Sequence, residues 1–235
     1  MIVPDIFGQA VIDHFEKQNA ENIKVIATDF DDDEIPTDYL FRDFKEMPKL
    51  EQKALQLAKG KTLDVGCCAG SHALVLQEKG IEIKAIDISQ GAIKVARLRG
   101  IKNAVVQDFF DEQEKFDTIL MLMNGIGIVG KLRKLTAFFE HLKSILNPNG
   151  KVLLDSSDLH YLFDKEEDGS IWVDPTQYYG ELRYQIQYKE EISAPFDWLY
   201  IDFNSLQLAA ESNGFSCKLV EEGEHYDYLA QLQLN

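Results

Sequence analysis

The residues whose types and spacing best predict chemistry lie at positions 62–72, where an apolar segment runs into a glycine-containing turn. Asp64 stands near the end of the apolar segment, and Gly66, Cys68 and Gly70 follow it at alternate positions. This spacing predicts a tight turn between a buried strand and a helix. Backbone N–H groups and the positive end of that helix attract an anionic group. The Asp64 carboxylate would repel a pyrophosphate, so the pattern favours a ligand that also carries a positive charge.

Further apolar segments follow this turn, and three of them end in an acidic residue or an asparagine. The second predicted strand, Ile83–Ile86, runs into Asp87, 21 residues after Gly66. That offset is close to the spacing of about 20 at which an acid hydrogen-bonds ribose hydroxyls. The third strand runs into Asp108 and the fourth ends at Asn124. Periodicity and breaker residues predict helices at 6–17, 49–58, 73–79, 90–99, 136–146 and 205–213, and a fifth strand after the turn at 147–150.

The pattern Asp64-x-Gly66-x-Cys68-x-Gly70 resembles motif I of the class I SAM-dependent methyltransferases, whose usual form is D/E-x-G-x-G-x-G. A cysteine replaces the middle glycine here. Together with the five strands in family order, the resemblance covers about residues 37 to 235. It implies an α/β fold with a seven-stranded Rossmann-like sheet, mostly parallel, ending in an antiparallel C-terminal hairpin. The alternative is an NAD-binding Rossmann domain, whose G-x-G-x-x-G fingerprint lacks an acid before the first glycine.

The resemblance implies S-adenosyl-L-methionine (SAM) as the cofactor and assigns roles around it. Asp87 takes the position of the acid that binds the ribose, and Asp108 that of the carboxylate near the adenine amino group. Arg42 either pairs with the SAM carboxylate or forms a surface ion pair with Asp38 or Asp43. The full set of predicted cofactor-binding residues is Arg42, Asp64, Gly66, Cys67, Cys68, Gly70, His72, Asp87, Ile88, Asp108, Phe109 and Asn124.

Methyl transfer from a sulfonium needs alignment and exclusion of water more than it needs a dedicated catalytic motif, because the cofactor carries the reactive group. A base is required only when the acceptor arrives protonated. The catalytic candidates are therefore positional: His160, Asn124 and His72. Asn124 stands where amino-directed methyltransferases often have N/D-P-P-Y/F, but the prolines and the aromatic residue are missing here. Asn124 could instead cap the end of the strand or contact the cofactor. His72 could instead pack at the end of the helix or lie on the cofactor side.

Four segments are predicted along the chain. Residues 1–58 form an N-terminal helical leader, 59–158 the SAM-binding core, 159–203 an aromatic insertion, and 204–235 a last helix and a strand hairpin that complete the sheet. Within the insertion, 181–189 and 196–201 are predicted to pair as strands. The insertion holds both tryptophans, Trp172 and Trp198, and is either a substrate lid or a hairpin with its own aromatic core. The acidic run at 28–34 is either a solvated loop or a clamp for an amine at the mouth of the site.

Composition restricts the class of partner. The formal net charge of −16 disfavours nucleic acid and favours neutral or cationic small molecules. Cys67 and Cys68 are either small turn residues or a redox pair, and no metal-binding spacing is present. The N-terminus lacks the basic start of a signal peptide and no apolar run spans a bilayer, which predicts a soluble cytoplasmic protein. We expect a SAM-dependent methyltransferase acting on an O or N atom of a small molecule. The alternatives are a protein or RNA methyltransferase, or a SAM-binding protein without turnover.

Overall fold

The computed structural model describes residues 5–17, 19–28, 30–163 and 176–235. Trp172 of the predicted aromatic insertion and Asp29 of the acidic run lie outside these residues. The helices are α1 (Ile6–Phe15), α2 (Lys49–Leu57), α3 (Ser71–Glu78), α4 (Gln90–Leu98), α5 (Leu135–Ile145) and α6 (Phe203–Ser212). The strands are β1 (Ile23–Ala27), β2 (Asp33–Ile35), β3 (Thr62–Val65), β4 (Ile83–Asp87), β5 (Ala104–Val106), β6 (Phe116–Met121), β7 (Leu146–Ser157), β8 (Glu181–Tyr188), β9 (Glu191–Ile192), β10 (Phe196–Leu199), β11 (Phe215–Glu222) and β12 (Asp227–Leu234).

The larger sheet has seven strands in the order β11-β12-β7-β6-β3-β4-β5. The pairs among β3 to β7 are parallel, and β12 is antiparallel to both β7 and β11. This confirms the predicted fold class, with the antiparallel hairpin at the C-terminus. The chain leaves β3 toward β4 on one side and later returns to β6 on the other. The carboxyl ends of β3 and β6 therefore flank a topological switch point, where open α/β sheets bind their ligands.

Two apolar layers cover the larger sheet. On one face α5 packs Phe138 and Phe139 against the strands and against Phe215 of the C-terminal hairpin. On the other face α2 and α3 bury residues such as Leu55 and Leu76. The strands read as continuous apolar runs because both faces of the sheet are covered. This rigid sheet fixes the positions of the loops at its carboxyl edge.

The predicted turn at 147–150 lies inside β7 rather than before it. The strand begins at Leu146, and its pairing with β6 shifts register between Phe116 and Thr118. Asn149 adopts a left-handed φ of 64°, which bends the chain without ending its pairing. The turn residues therefore form an irregularity in a long strand, and the strand after it reaches Asp155 as expected.

A smaller antiparallel sheet lies beside the larger one, with strands in the order β10-β8-β1-β2 and β9 paired to β8. The predicted pairing of the two insertion strands is confirmed, with Phe196 opposite Tyr184. The leader also contributes β1 and β2, which its sequence did not predict because both are short and flank the acidic run. The leader and the insertion thus share one sheet, although they are far apart in the sequence.

Helix α1 fastens the leader to the core. Asp5 caps α1 by accepting from Gly8 N at 2.9 Å, and its second oxygen accepts from Ser89 Oγ and Gly91 N at the start of α4. At the other end of α1, buried Asp13 accepts from the Tyr188 hydroxyl of β8 at 2.9 Å. The small sheet is therefore attached to the core through α1. Among the helices of the described residues, none has the length and apolar character needed to cross a membrane.

Candidate active site

The turn after β3 is built from residues in the left-handed conformation. Gly66, Cys68 and Gly70 have φ of 69°, 50° and 83°. Gly66 N and Cys67 N donate to Ile86 O of β4 at 2.9 and 3.0 Å, which fixes the turn against the neighbouring strand. A Cβ added at Gly66 would meet nothing within 4 Å, so there is open space beside this backbone. Cys68 takes the conformation that favours glycine, at a cost of about 1 kcal/mol in backbone strain.

The two cysteines of this turn behave as small buried residues. Cys67 is 5% exposed, and burial raises the pKa of its thiol well above the ordinary value. Burial likewise raises the pKa of Cys68, with the charge of Asp87 acting in the same direction. The cysteines of the described chain form no disulfide. A thiol with a raised pKa is a poor nucleophile at neutral pH, which favours the turn role over the redox role.

Asp87 is held by the same turn. One of its oxygens accepts from Cys68 N and the other from Ser89 N, both at 2.9 Å. Burial raises the pKa of Asp87, although these two backbone hydrogen bonds act to lower it. The next residue, Ile88, is 75% exposed despite its apolar side chain. An acid beside an uncovered apolar side chain is an arrangement that suits a ribose with its attached base.

Asp64 lies beneath the turn and is 1% exposed. Its Oδ2 atom is buried without a hydrogen-bond partner among the described residues. Burial raises the pKa of Asp64 to about 6; the charge of His72 opposes this rise and that of Asp87 adds to it. An orphaned buried carboxylate oxygen costs free energy that a cationic donor would recover.

Arg42 forms a buried ion pair with Glu51 of α2, its Nη2 atom contacting both carboxylate oxygens at 2.5 Å. The predicted surface partners Asp38 and Asp43 are therefore wrong. Arg42 Nη1 donates to Tyr39 O at 2.6 Å and the guanidinium lies 4.0 Å from the Tyr39 ring centroid. Its Nε atom is buried without a partner among the described residues. The Nε–H of the guanidinium thus remains for an anionic group.

His72 is tied to the same carboxylate, with Nε2 2.6 Å from Glu51 Oε2. Burial would lower the pKa of His72, but the hydrogen bond to Glu51 and the charge of Asp64 raise it above the usual value. Because Nε2 is engaged by Glu51 and the raised pKa favours the protonated ring, His72 is poorly placed to act as a base. Glu51 was missed in the sequence. Its signal is a single acid on the buried face of α2, beside Leu50, Ala54 and Leu55.

The segment after β5 lies at the same edge of the sheet as the turn after β3 and Asp87. Asp108 is exposed and caps a short 3-10 turn by accepting from Phe110 N at 2.9 Å. Phe109 is 4% exposed and packs against Phe138 and His141. Asp108 therefore presents a carboxylate to solvent at the carboxyl edge of the sheet, while the Phe109 side chain is part of the core.

The end of β6 turns sharply through two residues in the left-handed conformation, Met123 (φ 60°) and Asn124 (φ 56°). Their N–H groups both donate to the carboxylate of Asp155, at 3.0 and 2.7 Å. The Asn124 side chain donates to Leu199 O at 3.1 Å and accepts from Ser156 Oγ at 2.8 Å. Asn124 therefore links β10 of the small sheet to the core. The side-chain amide of Asn124 is hydrogen-bonded within the fold, which fits strand-end capping better than a contact to the methyl acceptor.

Asp155 was not predicted as a site residue, yet it lies at the centre of this edge. It is 9% exposed, and burial raises its pKa to about 7, with the charge of Glu51 acting in the same direction. The hydrogen bonds from Asn124 and Met123 oppose this rise. Its sequence signal is its position at the carboxyl end of the fifth strand of a parallel sheet, the same signal that identified Asp64 and Asp87.

His160 lies at the start of the insertion, after Asp158. Its Nδ1 atom is 3.0 Å from Asp158 Oδ2, and its ring packs edge-on against Tyr226 with centroids 4.9 Å apart. The side chain is about one third exposed. His160 therefore remains accessible at the rim of the edge. No group of three metal-ligating side chains is found within the described ranges.

Two buried polar atoms without hydrogen-bond partners in the described part of the chain indicate which ligand would suit this site. Asp64 Oδ2 lacks a donor and Arg42 Nε lacks an acceptor, so the site suits a molecule with an ammonium and a carboxylate. Asp87 beside exposed Ile88 suits a ribose and a base. Among the described residues, these features match the amino-acid and nucleoside parts of SAM, and the carboxylates suit its sulfonium.

The comparisons with known proteins point the same way. A family model described as a methyltransferase domain matches residues 39–217. A SAM-dependent methyltransferase from Bacteroides fragilis, solved with S-adenosyl-L-homocysteine, is 48% identical, with a TM-score of 0.92 over 100% of this chain and 98% of that one. The ubiquinone biosynthesis O-methyltransferase of Xanthomonas euvesicatoria pv. vesicatoria (strain 85-10) is 31% identical over 111 residues, covering 43% of this chain and 45% of that protein. The chain thus spans about half the length of the curated relatives it matches.

Proposed function

This chain belongs to the methyltransferase domain family and is a SAM-dependent methyltransferase, and from that premise we propose that it methylates an oxygen or nitrogen atom of a small molecule. The observation that carries the proposal is the small sheet, which covers the carboxyl edge of the larger one. Ile186 and Tyr188 of β8 pack in one cluster with Cys68 and Ala69 of the turn after β3. At the other end Trp198 lies against Gly127, so closely that a Cβ on that glycine would fall 2.0 Å from the ring. A polymer acceptor would need this cover to be absent or displaced.

We propose the following roles in binding the cofactor. Asp64 accepts from the ammonium, Arg42 donates through Nε to the carboxylate, and Asp87 binds the ribose hydroxyls. The backbone of Gly66, Cys67, Cys68 and Gly70 lies against the bound molecule, and His72 positions Glu51 at its amino-acid end. Ile88, Asp108 and the backbone of Phe109 lie around the adenine, with the Ile88 side chain against the ring. Asn124 acts by anchoring the small sheet.

When bound, SAM supplies a methyl group on a sulfonium, a leaving group that needs no protein acid. The chain's own task is to hold the acceptor in line with the methyl–sulfur bond and to exclude water. The small sheet provides the cover that excludes water. The hydrogen bond from Asn124 to Leu199 O connects this sheet to the end of β6, beside the methyl acceptor. A base is required only for an acceptor that arrives protonated, and Asp155 and His160 are the groups placed for that task.

Two measurements test the proposal. Calorimetry with S-adenosylhomocysteine should show binding, since the orphaned polar atoms would gain partners. An assay with methyl-labelled SAM should then transfer label to small molecules of a metabolite extract rather than to total RNA or total protein. Label in RNA or protein alone would replace the small-molecule acceptor with a polymer. Tight binding with no transfer to any of the three would leave a SAM-binding protein without turnover.

The four-segment division of the chain also remains a proposal. The leader (1–58) and the insertion (159–203) share the small sheet, so we propose that they form one cover over the SAM-binding core (59–158), which 204–235 completes.

A further inference from the structure

The register of the small sheet determines which side chains face the acceptor. Residues directly opposite each other in antiparallel strands share a face. Tyr184 is opposite Ala27 and Phe196, Ile186 is opposite Val25, and Val25 is opposite Asp33. At one end of this face Tyr188 packs with α1 and with the turn after β3. At the other end Trp198 lies against Gly127, just after β6, so the face is turned toward the carboxyl edge of the larger sheet.

The inner face is aromatic and acidic. Its described strand residues are Ile23, Val25, Ala27, Asp33, Ile35, Leu182, Tyr184, Ile186, Tyr188, Glu191, Phe196 and Trp198. None of these is a lysine, arginine or histidine, whereas the opposite face carries Lys24 and Arg183. Asp33 is exposed and its Oδ1 atom accepts from Glu34 N at 2.7 Å, whereas its neighbours across the strands, Val25 and Ile186, are apolar and give it no counter-charge. Asp33 is therefore available to a ligand at the mouth of the site.

Tyr200 connects this face to the buried end of the site. Tyr200 N donates to Gly180 O at 2.8 Å, which continues the β10–β8 register and places Tyr200 on the inner face. The next residue, Ile201, donates its N–H to Ser156 Oγ at 3.0 Å, beside Asp155. Burial raises the pKa of Tyr200, and the charges of Asp33 and Asp155 act in the same direction together with the Tyr161 hydroxyl. Tyr200 therefore lies within the electrostatic reach of both carboxylates. We call the three tyrosines and two aspartates that influence one another electrostatically here the acceptor chamber: Tyr161, Tyr184, Tyr200, Asp33 and Asp155.

The cations near this chamber are already paired. Arg42 is bound to Glu51 through both carboxylate oxygens. Lys131 lies 3.4 Å from Glu181 and 3.8 Å from Asp197. An anionic acceptor would thus meet two carboxylates and no matching charge from these residues. A cationic acceptor would meet the faces of the tyrosine rings and two carboxylates, the combination that proteins use to bind ammonium groups.

We propose that the acceptor is a small amine that enters protonated, is held by the tyrosine rings and by Asp33 at the mouth of the acceptor chamber, and gives its proton to Asp155. This inference rests on the proposed function and narrows its acceptor to nitrogen. Asp155 accepts one proton from the ammonium, and the freed nitrogen lone pair forms the new N–C bond. The methyl–sulfur bond breaks with its electron pair left on sulfur. The methylated nitrogen keeps the positive charge, and Asp155 passes its proton to water.

The chemistry of Asp155 suits this exchange. Its oxygens accept from Met123 N and Asn124 N, which fix the carboxylate without supplying a counter-charge. Burial raises its pKa to about 7, so near neutral pH it can both take up and release a proton.

The test uses the full chain, methyl-labelled SAM and a metabolite extract, and separates the labelled small molecules on a cation exchanger at pH 5. An amine product is retained because it is protonated. Neutral or anionic labelled products would overturn the amine while leaving the small-molecule function in place. If only RNA or protein were labelled, the proposed function would fail together with this inference.

Matched variants test which residues bind the amine. Asp33→Asn should raise the KM of the retained acceptor about tenfold, as expected for losing one charge-assisted contact. Glu34→Gln is the control: it lies on the same strand, faces the other way opposite Lys24, and should leave KM unchanged. Tyr184→Phe keeps the ring and should retain most affinity, whereas Tyr184→Leu should lose it. Equal KM values for Asp33→Asn and Glu34→Gln would refute the acceptor chamber as the amine site.

The proton step is tested separately by Asp155→Asn. We expect kcat to fall at least a hundredfold, the lower range for losing a general base, while the affinity for S-adenosylhomocysteine is kept. Unchanged kcat in a folded variant would remove Asp155 as the proton acceptor. If the variant does not fold, the Asp33 and Tyr184 comparisons still decide the acceptor class.

Discussion

His72 Nε2 lies 2.6 Å from Glu51 Oε2, and the same carboxylate holds Arg42. All three side chains are at most one tenth exposed. One buried acid thus orders the two residues that we propose to lie at the amino-acid end of the bound cofactor. Burial would raise the pKa of Glu51, but His72 and Arg42 hold it below its usual value.

Glu51→Gln should therefore destabilise the protein by about 3–5 kcal/mol, because it leaves two buried cationic groups without their counter-charge. Denaturant unfolding at pH 7 measures this change. Glu78→Gln, on the exposed end of α3, is the matched control and should change the free energy of unfolding by less than about 0.5 kcal/mol.

The pH dependence of the unfolding free energy separates the contribution of His72 from that of Arg42. His72 has a raised pKa in the folded state, so its contribution to stability is complete below its unfolded pKa and is lost as the pH rises through the folded pKa. The wild type should lose this contribution as the pH rises through the raised folded pKa of His72, and Glu51→Gln should not. Parallel stability–pH curves for the two proteins would contradict the coupling.

Asp87→Ala should weaken the binding of S-adenosylhomocysteine by about 1.5–3 kcal/mol, since the ribose hydroxyls would lose a charged acceptor. Asp87→Asn keeps an acceptor oxygen and one of the backbone hydrogen bonds to Cys68 and Ser89, so its loss should be smaller. Calorimetry measures both. Unchanged affinity in Asp87→Ala would exclude Asp87 from the site.

Two glycines of the turn separate backbone strain from steric conflict. Gly66 and Gly70 both have left-handed φ, but a Cβ on Gly70 would fall 2.0 Å from Ile101 Cδ1, whereas one on Gly66 meets open space. Gly66→Ala should cost about 1–2 kcal/mol of stability for the conformation alone, and Gly70→Ala clearly more.

Ile101→Val tests the source of the difference, because it removes the Cδ1 atom that conflicts with the new methyl group. In the Gly70→Ala background it should recover part of the lost stability, while in the wild type it should cost about 0.5–1.5 kcal/mol. Additive effects of the two substitutions in thermal unfolding would refute the contact as the cause.

The sequence predicted the parts of the site that follow from local pattern. The positions of Asp64 and Asp87 at one edge of the sheet followed because each occurs at the end of an apolar strand beside a turn, and parallel strands bring their carboxyl ends together; their roles in binding the cofactor remain predictions. The seven-stranded sheet followed from the same order of segments. These features depend on spacing within about twenty residues.

Glu51 was missed, and Asp33 and Tyr200 were not singled out within the acidic run and the aromatic insertion, because their positions depend on contacts between distant segments. Asp33 faces inward only because β1 pairs with β8, more than 150 residues away in the sequence, and that pairing has no local signal. Arg42 was given the wrong partners for the same reason: Asp38 and Asp43 are near in sequence, whereas Glu51 is brought close by the packing of α2.

Asp64 leads to a last prediction, on protons released when the cofactor binds. Burial raises the pKa of Asp64 to about 6 in the free protein, so at pH 6 roughly half of the molecules carry a proton there. An ammonium placed against Oδ2 favours the carboxylate and lowers that pKa. Binding of S-adenosylhomocysteine at pH 6 should therefore release up to about half a proton, and its affinity should rise between pH 5 and 7. Calorimetry in two buffers of different ionisation enthalpy measures the release. At pH 8 the carboxylate is already ionised and this release should vanish. Asp64→Asn should abolish it at pH 6, and an equal release from that variant would show that another group gives up the proton.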